Sequence, residues 1–154
     1  MSKPVLGAEK IRISYGPLEF PLSAESLETF AESGKVTGDL KFYAQFLRPP
    51  ILAKLRQFLK QRFQVSPVVV SELTYSPMGE RVLQGLGQMI RTQARQNGFY
   101  ALRSALILAA SDLQGMSVTD IIRYFPTSSI RINAAQLLEL EQQFQFSDRK
   151  RGMV

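Results

Sequence analysis

The chain contains neither cysteine nor histidine. Without cysteine there is no disulfide, no thiol nucleophile and no thiolate-held metal. Without histidine the commonest general base and the commonest neutral metal ligand are missing. No Ser-His-Asp triad can be assembled from this chain alone. Long apolar runs are missing as well. The longest, Ala105 to Ala110, is far below the roughly 18 residues that a membrane span needs. The opening "MSKPVLGAEK" has no apolar core and does not read as a signal peptide.

The glycine motifs that cradle phosphates are lacking. There is no G-x-x-x-x-G-K-[ST] and no G-x-S-x-G nucleophile elbow. "GLGQMI", Gly85 to Ile90, lacks a third glycine and a preceding strand. It falls inside a helix opened by Ser76-Pro77, so it reads as close helix packing or a kink. Paired carboxylates are the remaining route to a hydrolase. The acids Glu25, Glu28, Glu32, Glu139 and Glu141 sit on predicted helix surfaces, and no two are placed in a cleft. No catalytic residue, metal site or cofactor is assigned.

What is present suits one globular domain: 154 residues, 45% hydrophobic and 21% charged, enough to bury a single core. The net charge is +6, part of it from Arg149, Lys150 and Arg151 near the end. Such an excess permits nucleic acid or anionic lipid as a partner, but ordinary soluble domains share it.

Ile11, Ile13 and Tyr15 alternate with polar residues as in a half-buried strand. Gly16-Pro17 marks a turn, with Pro17 suited to the first central position. Leu18, Phe20 and Leu22 form the return strand, and Pro21 confines it to a sheet edge. Ser23 caps a helix that ends near Ser33, with Gly34 as C-cap. Thr37 caps a short helix bearing Leu40, Tyr43, Phe46 and Leu47. Pro49-Pro50 opens a helix with an apolar stripe of Ile51, Leu52, Leu55, Phe58, Leu59 and Phe63. Ser66-Pro67 and Ser76-Pro77 announce helices over Val68 to Thr74 and Met78 to Arg91. After Asn97-Gly98, Phe99 to Ala110 is apolar nearly all round, as a central buried helix would be. Ser117 and Asp120 form a capping box before Ile121 and Ile122, and Pro126 closes that helix. Ile130 and Ile132 then repeat the opening rhythm, followed by Asn133 as cap of a helix bearing Leu137, Leu138 and Leu140.

Together these predict an α+β, predominantly helical domain: six to eight short helices around one buried helix, 99–110, with a small sheet from 11–15, 18–22 and 129–132. A two-stranded hairpin alone is marginal, so the strands from the two ends are expected to pair. Residues 1–146 make a single accessory domain, and 147–154 a polar basic tail expected to be disordered.

Two features invite a binding role. The helix over 50–63, with its flank, carries Arg48, Lys54, Arg56, Lys60 and Arg62 and no acid. A basic amphipathic helix can lie on an anionic membrane or meet an acidic partner. The competing reading is a core-facing helix with a solvated basic face. Arg103, the lone charge of the apolar helix, needs an acid or backbone carbonyls, or anchors an anionic group. Ser117 to Phe125 could follow Phe99 to Ala110 as a helix-turn-helix, but few polar side chains are placed for bases and Asp120 would repel phosphate. Nucleic acid is disfavoured as a partner.

"IRISYGPLEFPLSAESLETFAESG", "FLKQRFQVSPVVVSELTYSPMGERVLQGLGQMI", "GFYALRSALILAASD" and "IRYFPTSSIRI" together resemble a cyanobacterial domain of unknown function. That domain typically lies between a secretion leader and an α/β-hydrolase domain. The resemblance covers residues 8 to 140 and rests on structural signals, none of them catalytic. It implies an accessory module of secreted or envelope-associated hydrolases acting on esters or lipids, packed on or capping the hydrolase in cis or in trans. An exposed apolar patch near the C-terminal helix would suit that role. Neither leader nor hydrolase portion is read in this chain, so the hydrolase label transfers to no residue here. The module is either excised or stand-alone, and "FSDRKRGMV" reads as a tail. Its location follows: periplasm or cell envelope if a leader was removed, cytoplasm if the chain is complete as given.

Overall fold

A computed structural model describes residues 7–143 except 138 and 141. Chain order is β1 (Lys10–Tyr15), β2 (Leu18–Ser23), α1 (Ala24–Ser33), α2 (Gly38–Ala44), α3 (Pro49–Lys60), β3 (Arg62–Phe63), α4 (Pro67–Tyr75), α5 (Pro77–Met89), β4 (Ile90–Arg91), α6 (Phe99–Ala109), β5 (Met116–Ser117), α7 (Val118–Tyr124) and β6 (Ser129–Asn133). Residues 134–137 continue as helix. The fold is α+β and mainly helical, with a small mixed sheet.

The sheet runs β2-β1-β6-β4. β2 is an edge strand, as Pro21 requires. β1 and β6, from opposite ends of the described chain, pair in parallel with Ile11 beside Ile130 and Ile13 beside Ile132. Parallel strands need a long crossover, and here almost the whole domain supplies it. The hairpin differs in detail from expectation. Tyr15 pairs with Leu18, so Gly16 takes the first central position with φ +58°, and Pro17 the second. A two-residue hairpin favours positive φ at its first position, which glycine supplies without strain.

The fourth strand is a correction. Residues 78–91 read as one helix, but α5 stops at Met89, and Ile90 pairs with Ile132 and Arg91 with Arg131. No capping residue announces this stop. The half-buried Ile90 gains a place against the core beside Ile132, a tertiary reward that periodicity does not register. A second small sheet joins β3 to β5. Consequently the basic helix ends at Lys60, and Arg62 lies in a strand.

Local capping chemistry holds most helices as predicted; Thr37 stands at the N-cap of α2, but its side chain makes no capping bond. The Ser23, Ser66 and Ser76 hydroxyls accept from the N–H groups of Ser26, Val69 and Gly79. Ser117 and Asp120 make a full capping box. Gly34, at φ +78°, closes α1. Asn133 Oδ1 accepts from Gln136 N–H at 3.1 Å. The expectations for Leu138, Glu141 and the tail 147–154 lie outside the described residues.

Two apolar clusters form the interior. One gathers Leu83, Phe99, Leu102, Ala105, Phe125 and Ile130, the other Ile11, Leu22, Leu27, Phe30, Leu40 and Leu59. Ile122 and Ile132 touch both. α6 lies in the first and packs against α4, α5 and α7. One side of it, Tyr100, Ser104 and Leu108, remains open to solvent. Gly87 is where α5 meets the start of α6: a Cβ there would sit 2.0 Å from Asn97 Oδ1 and 2.7 Å from Phe99 N.

At the β2–α1–α2 junction, Asp39 accepts from Ser23 N–H (2.9 Å), Ser26 Oγ (2.9 Å) and Ser23 Oγ (3.0 Å). Burial pushes this carboxyl up, but the bonds from the Ser23 N–H and the two hydroxyls outweigh it. They hold its pKa below the ordinary 3.8.

Candidate functional site

The five cations of the basic segment do not share one face. Arg56 crosses to α1, where its Nε donates to Phe30 O at 3.2 Å. Its Nη2 reaches Glu32 O at 3.5 Å. Both carbonyls lie at the C-terminal end of α1, where a cation is favoured, although Phe30 O also accepts from the Gly34 N–H. Arg62, though exposed, is held by partners: Nη1 donates to Gly115 O at 2.9 Å and lies 3.4 Å from Asp120 and 3.8 Å from Asp112. Arg48, Lys54 and Lys60 stay exposed. Lys54 and Lys60 flank Phe58 over a shallow depression also lined by Gln57 and Gln61.

Asp120 is buried, and three groups hold its charge: the Ser117 N–H, Arg62 and, at 3.4 Å, Arg123. Arg123 also pairs with Glu28. That hydrogen bond, against the cost of burial and with the charges of Glu28 and Asp120, raises the guanidinium's pKa above its ordinary value. This network ties α7 to α1 and β3. It also covers the first turn of α7, the turn a base-reading helix would need free.

Arg103 is 7% exposed. Nη2 donates to Thr74 O at 3.0 Å and to Glu80 at 3.1 Å. The guanidinium carbon lies 3.8 Å from the Tyr75 ring centre and 4.5 Å from that of Phe99. Cation–π contact at such range supplements the ion pair. Nε is buried without a partner among the described residues.

The most distinctive surface is apolar. Phe20 on β2 meets Tyr43 on α2 edge-to-face at 6.0 Å; Tyr43 meets Phe42 at 5.5 Å, and Phe42 meets Phe46 at 5.6 Å. Phe42 and Phe46 are 60% and 73% exposed. On α3, Ile51 and Phe58, two turns apart on one side, are also exposed. The sequence reading placed Phe46 and Leu47 on the second helix and Ile51 and Phe58 in one apolar stripe, yet α2 ends at Ala44, before Phe46 and Leu47, and only Leu40 and Leu59 of α2 and α3 are buried. A signal was available: Phe42 falls opposite Leu40 on a helical wheel, so one core cannot take both sides. The exposed large apolar side chains run no further along the described chain than Leu113, so the described residues of the C-terminal helix contribute none.

Among the described residues, no group of three or more His, Cys, Asp or Glu could hold a metal ion. No described helix is long and apolar enough to cross a membrane.

A small mixed sheet closed by a parallel pair from the two ends, inside a helical shell, thus defines an α+β domain with an open aromatic ridge. The chain belongs to the family described as an alpha/beta hydrolase of unknown function (DUF1400), which matches residues 7–133. No curated protein and no solved structure matches it.

Proposed function

We propose that this chain is a non-catalytic interaction module that packs on, or caps, an α/β-hydrolase domain, in cis or in trans. In this reading it stands N-terminal to that domain in cyanobacterial, envelope-associated hydrolases, as the sequence resemblance implies. The observation that carries the proposal is the aromatic ridge Phe20–Tyr43–Phe42–Phe46, with Ile51 and Phe58 of α3 exposed as well. Contiguous exposed aromatic surface is uncommon on a monomer, and aromatic anchors dominate interface energetics. The family description supplies the partner class. The missing histidine supports assigning the hydrolysis to the partner.

Size-exclusion chromatography with a hydrolase domain from a member of the same family tests this. A complex is expected that a Phe42→Ser/Phe46→Ser double variant, folded by circular dichroism, no longer forms. Absence of any complex, or reproducible ester turnover by the pure chain, would overturn the proposal.

A second reading makes α3 a membrane-surface contact. It is favoured by Lys54 and Lys60 beside the exposed Phe58, on a helix without acids. Aromatic rings at the headgroup level with flanking lysines are a usual interfacial arrangement. Co-sedimentation with phosphatidylglycerol vesicles across a salt series decides it. Binding that weakens with salt and is lost in Lys54→Gln/Lys60→Gln supports it, and no binding at low salt removes it.

A further inference from the structure

The register of the sheet places three arginines in a row. Arg12 on β1 lies directly beside Arg131 on β6, and Arg131 directly beside Arg91 on β4. Directly opposed residues share a face, with side chains roughly 5 Å apart. The other face of the same strands, Ile11, Ile13, Ile130 and Ile132, is turned to the core. Like charges directly opposite one another destabilise a sheet, so three in register is an arrangement that folding alone does not favour.

The row floors an open cavity of about 390 Å³, with Arg95 at its side. Among the described residues Glu19 is the only acid lining it. That one carboxylate is shared, 3.5 Å from Arg12 and 3.6 Å from Arg131. Four guanidinium groups therefore face a single countercharge among the described residues. Backbone carbonyls hold two of the forks in place without neutralising them. Arg91 donates to Gln88 O (3.0 Å) and Arg95 O (3.1 Å), and Arg131 donates to Gln93 O (3.3 Å). Arg95 itself sits at φ +64°, unusual for a long side chain, in the tight turn that follows β4. A guanidinium fixed through some of its N–H groups offers the rest in a planar array suited to tetrahedral oxyanions. The volume is within the range of small-ligand sites, and the strands beneath give it a rigid floor.

We propose that this arginine row binds a phosphate-ester group, on a soluble phosphorylated metabolite or on a lipid headgroup. A doubly charged phosphate would supply the countercharge that Glu19 alone does not. The proposal uses the outer face of the sheet and is independent of the aromatic ridge on α2 and α3.

Pyrophosphate and inorganic phosphate, titrated calorimetrically at low salt, test the soluble form, and phosphatidic-acid against phosphatidylcholine vesicles test the headgroup form. Saturable binding in either arm supports the site and identifies the source. It should weaken with salt and fall about tenfold or more in Arg131→Gln, the loss expected when a charge-assisted contact is removed. It should be unchanged in Lys54→Gln/Lys60→Gln and in Phe42→Ser/Phe46→Ser. Without phosphate, Arg131→Gln should be no less stable than the parent, since it relieves repulsion. No saturable binding in either arm overturns the proposal. So does binding that survives both Arg131→Gln and Arg91→Gln, or a stability loss in Arg131→Gln with binding intact, which marks the row as structural. Vesicle binding lost only in the aromatic or lysine variants belongs to the other face and also counts against this site.

Discussion

Arg103 and Gly87 show how single side chains fix the helical half of the molecule. Arg103 joins α6 to the end of α4 and the start of α5 through one carbonyl, one carboxylate and the Tyr75 ring, its guanidinium also lying over Phe99 of α6 itself. Truncating it leaves a cavity and an unpaired carbonyl. Arg103→Ala should therefore cost about 2–4 kcal/mol in urea denaturation. Glu80→Gln should cost only about 1 kcal/mol, because Glu80 is partly exposed. Equal stability of Arg103→Ala and the parent would show that the contacts do not hold the helices. The glycines of "GLGQ" give a paired test. Gly87→Ala should destabilise by about 1–3 kcal/mol, since its Cβ meets Asn97 and the Phe99 backbone. Gly85→Ala, with nothing within 4 Å, should stabilise α5 by up to about 1 kcal/mol. If both behaved alike, the close-packing explanation of Gly87 would fail.

Among elements, the β2–α1–α2 junction is the one with a pH signature. Asp39 bonds to the cap of α1 from the first turn of α2, and its pKa is lowered in the fold. A carboxylate whose folded pKa lies below its unfolded one adds stability that is fully present above the unfolded value. That contribution is lost as pH falls below 3.8 toward the folded value. Denaturation midpoints of the parent and Asp39→Asn, followed downward from pH 6, should converge through this window. A constant gap would remove Asp39 as the cause. Most element boundaries were legible because capping is local: Ser23, Ser66, Ser76, Ser117 and Asn133 announce their helices whatever packs above them. β4 was not legible. Ile90 and Arg91 continue a helical pattern, and only the presence of β6 alongside makes extension favourable. The same holds for β3 and β5, two residues each, too short to leave a periodic trace.

At the scale of the whole molecule, the parallel β1–β6 pair closes the domain. It forms only when everything between the strands has folded back, so its amides should open only in global unfolding. In native-state hydrogen exchange, Ile13 and Ile132 are expected to share the highest protection with α6. Early exchange of β1 alone would show that the closure is dispensable. Ile130→Ala, at a buried position in that pair, should cost about 2–4 kcal/mol.

The candidate surfaces divide along the same line. The sequence alone determined the fold class, the edge strand at Pro21, the capped helices and the exclusion of thiol and histidine chemistry, because composition, proline geometry and capping act within a few residues. It listed the cations but not their company. Tertiary structure tied Arg56 and Arg62 to carbonyls and carboxylates and left Phe42, Phe46, Ile51 and Phe58 exposed. It also aligned Arg12, Arg131 and Arg91, which are scattered along the chain, into one row. Register between distant strands sets that alignment, and register is chosen by the apolar face, Ile11 with Ile130 and Ile13 with Ile132. Burying those isoleucines carries the arginines on the opposite face into line.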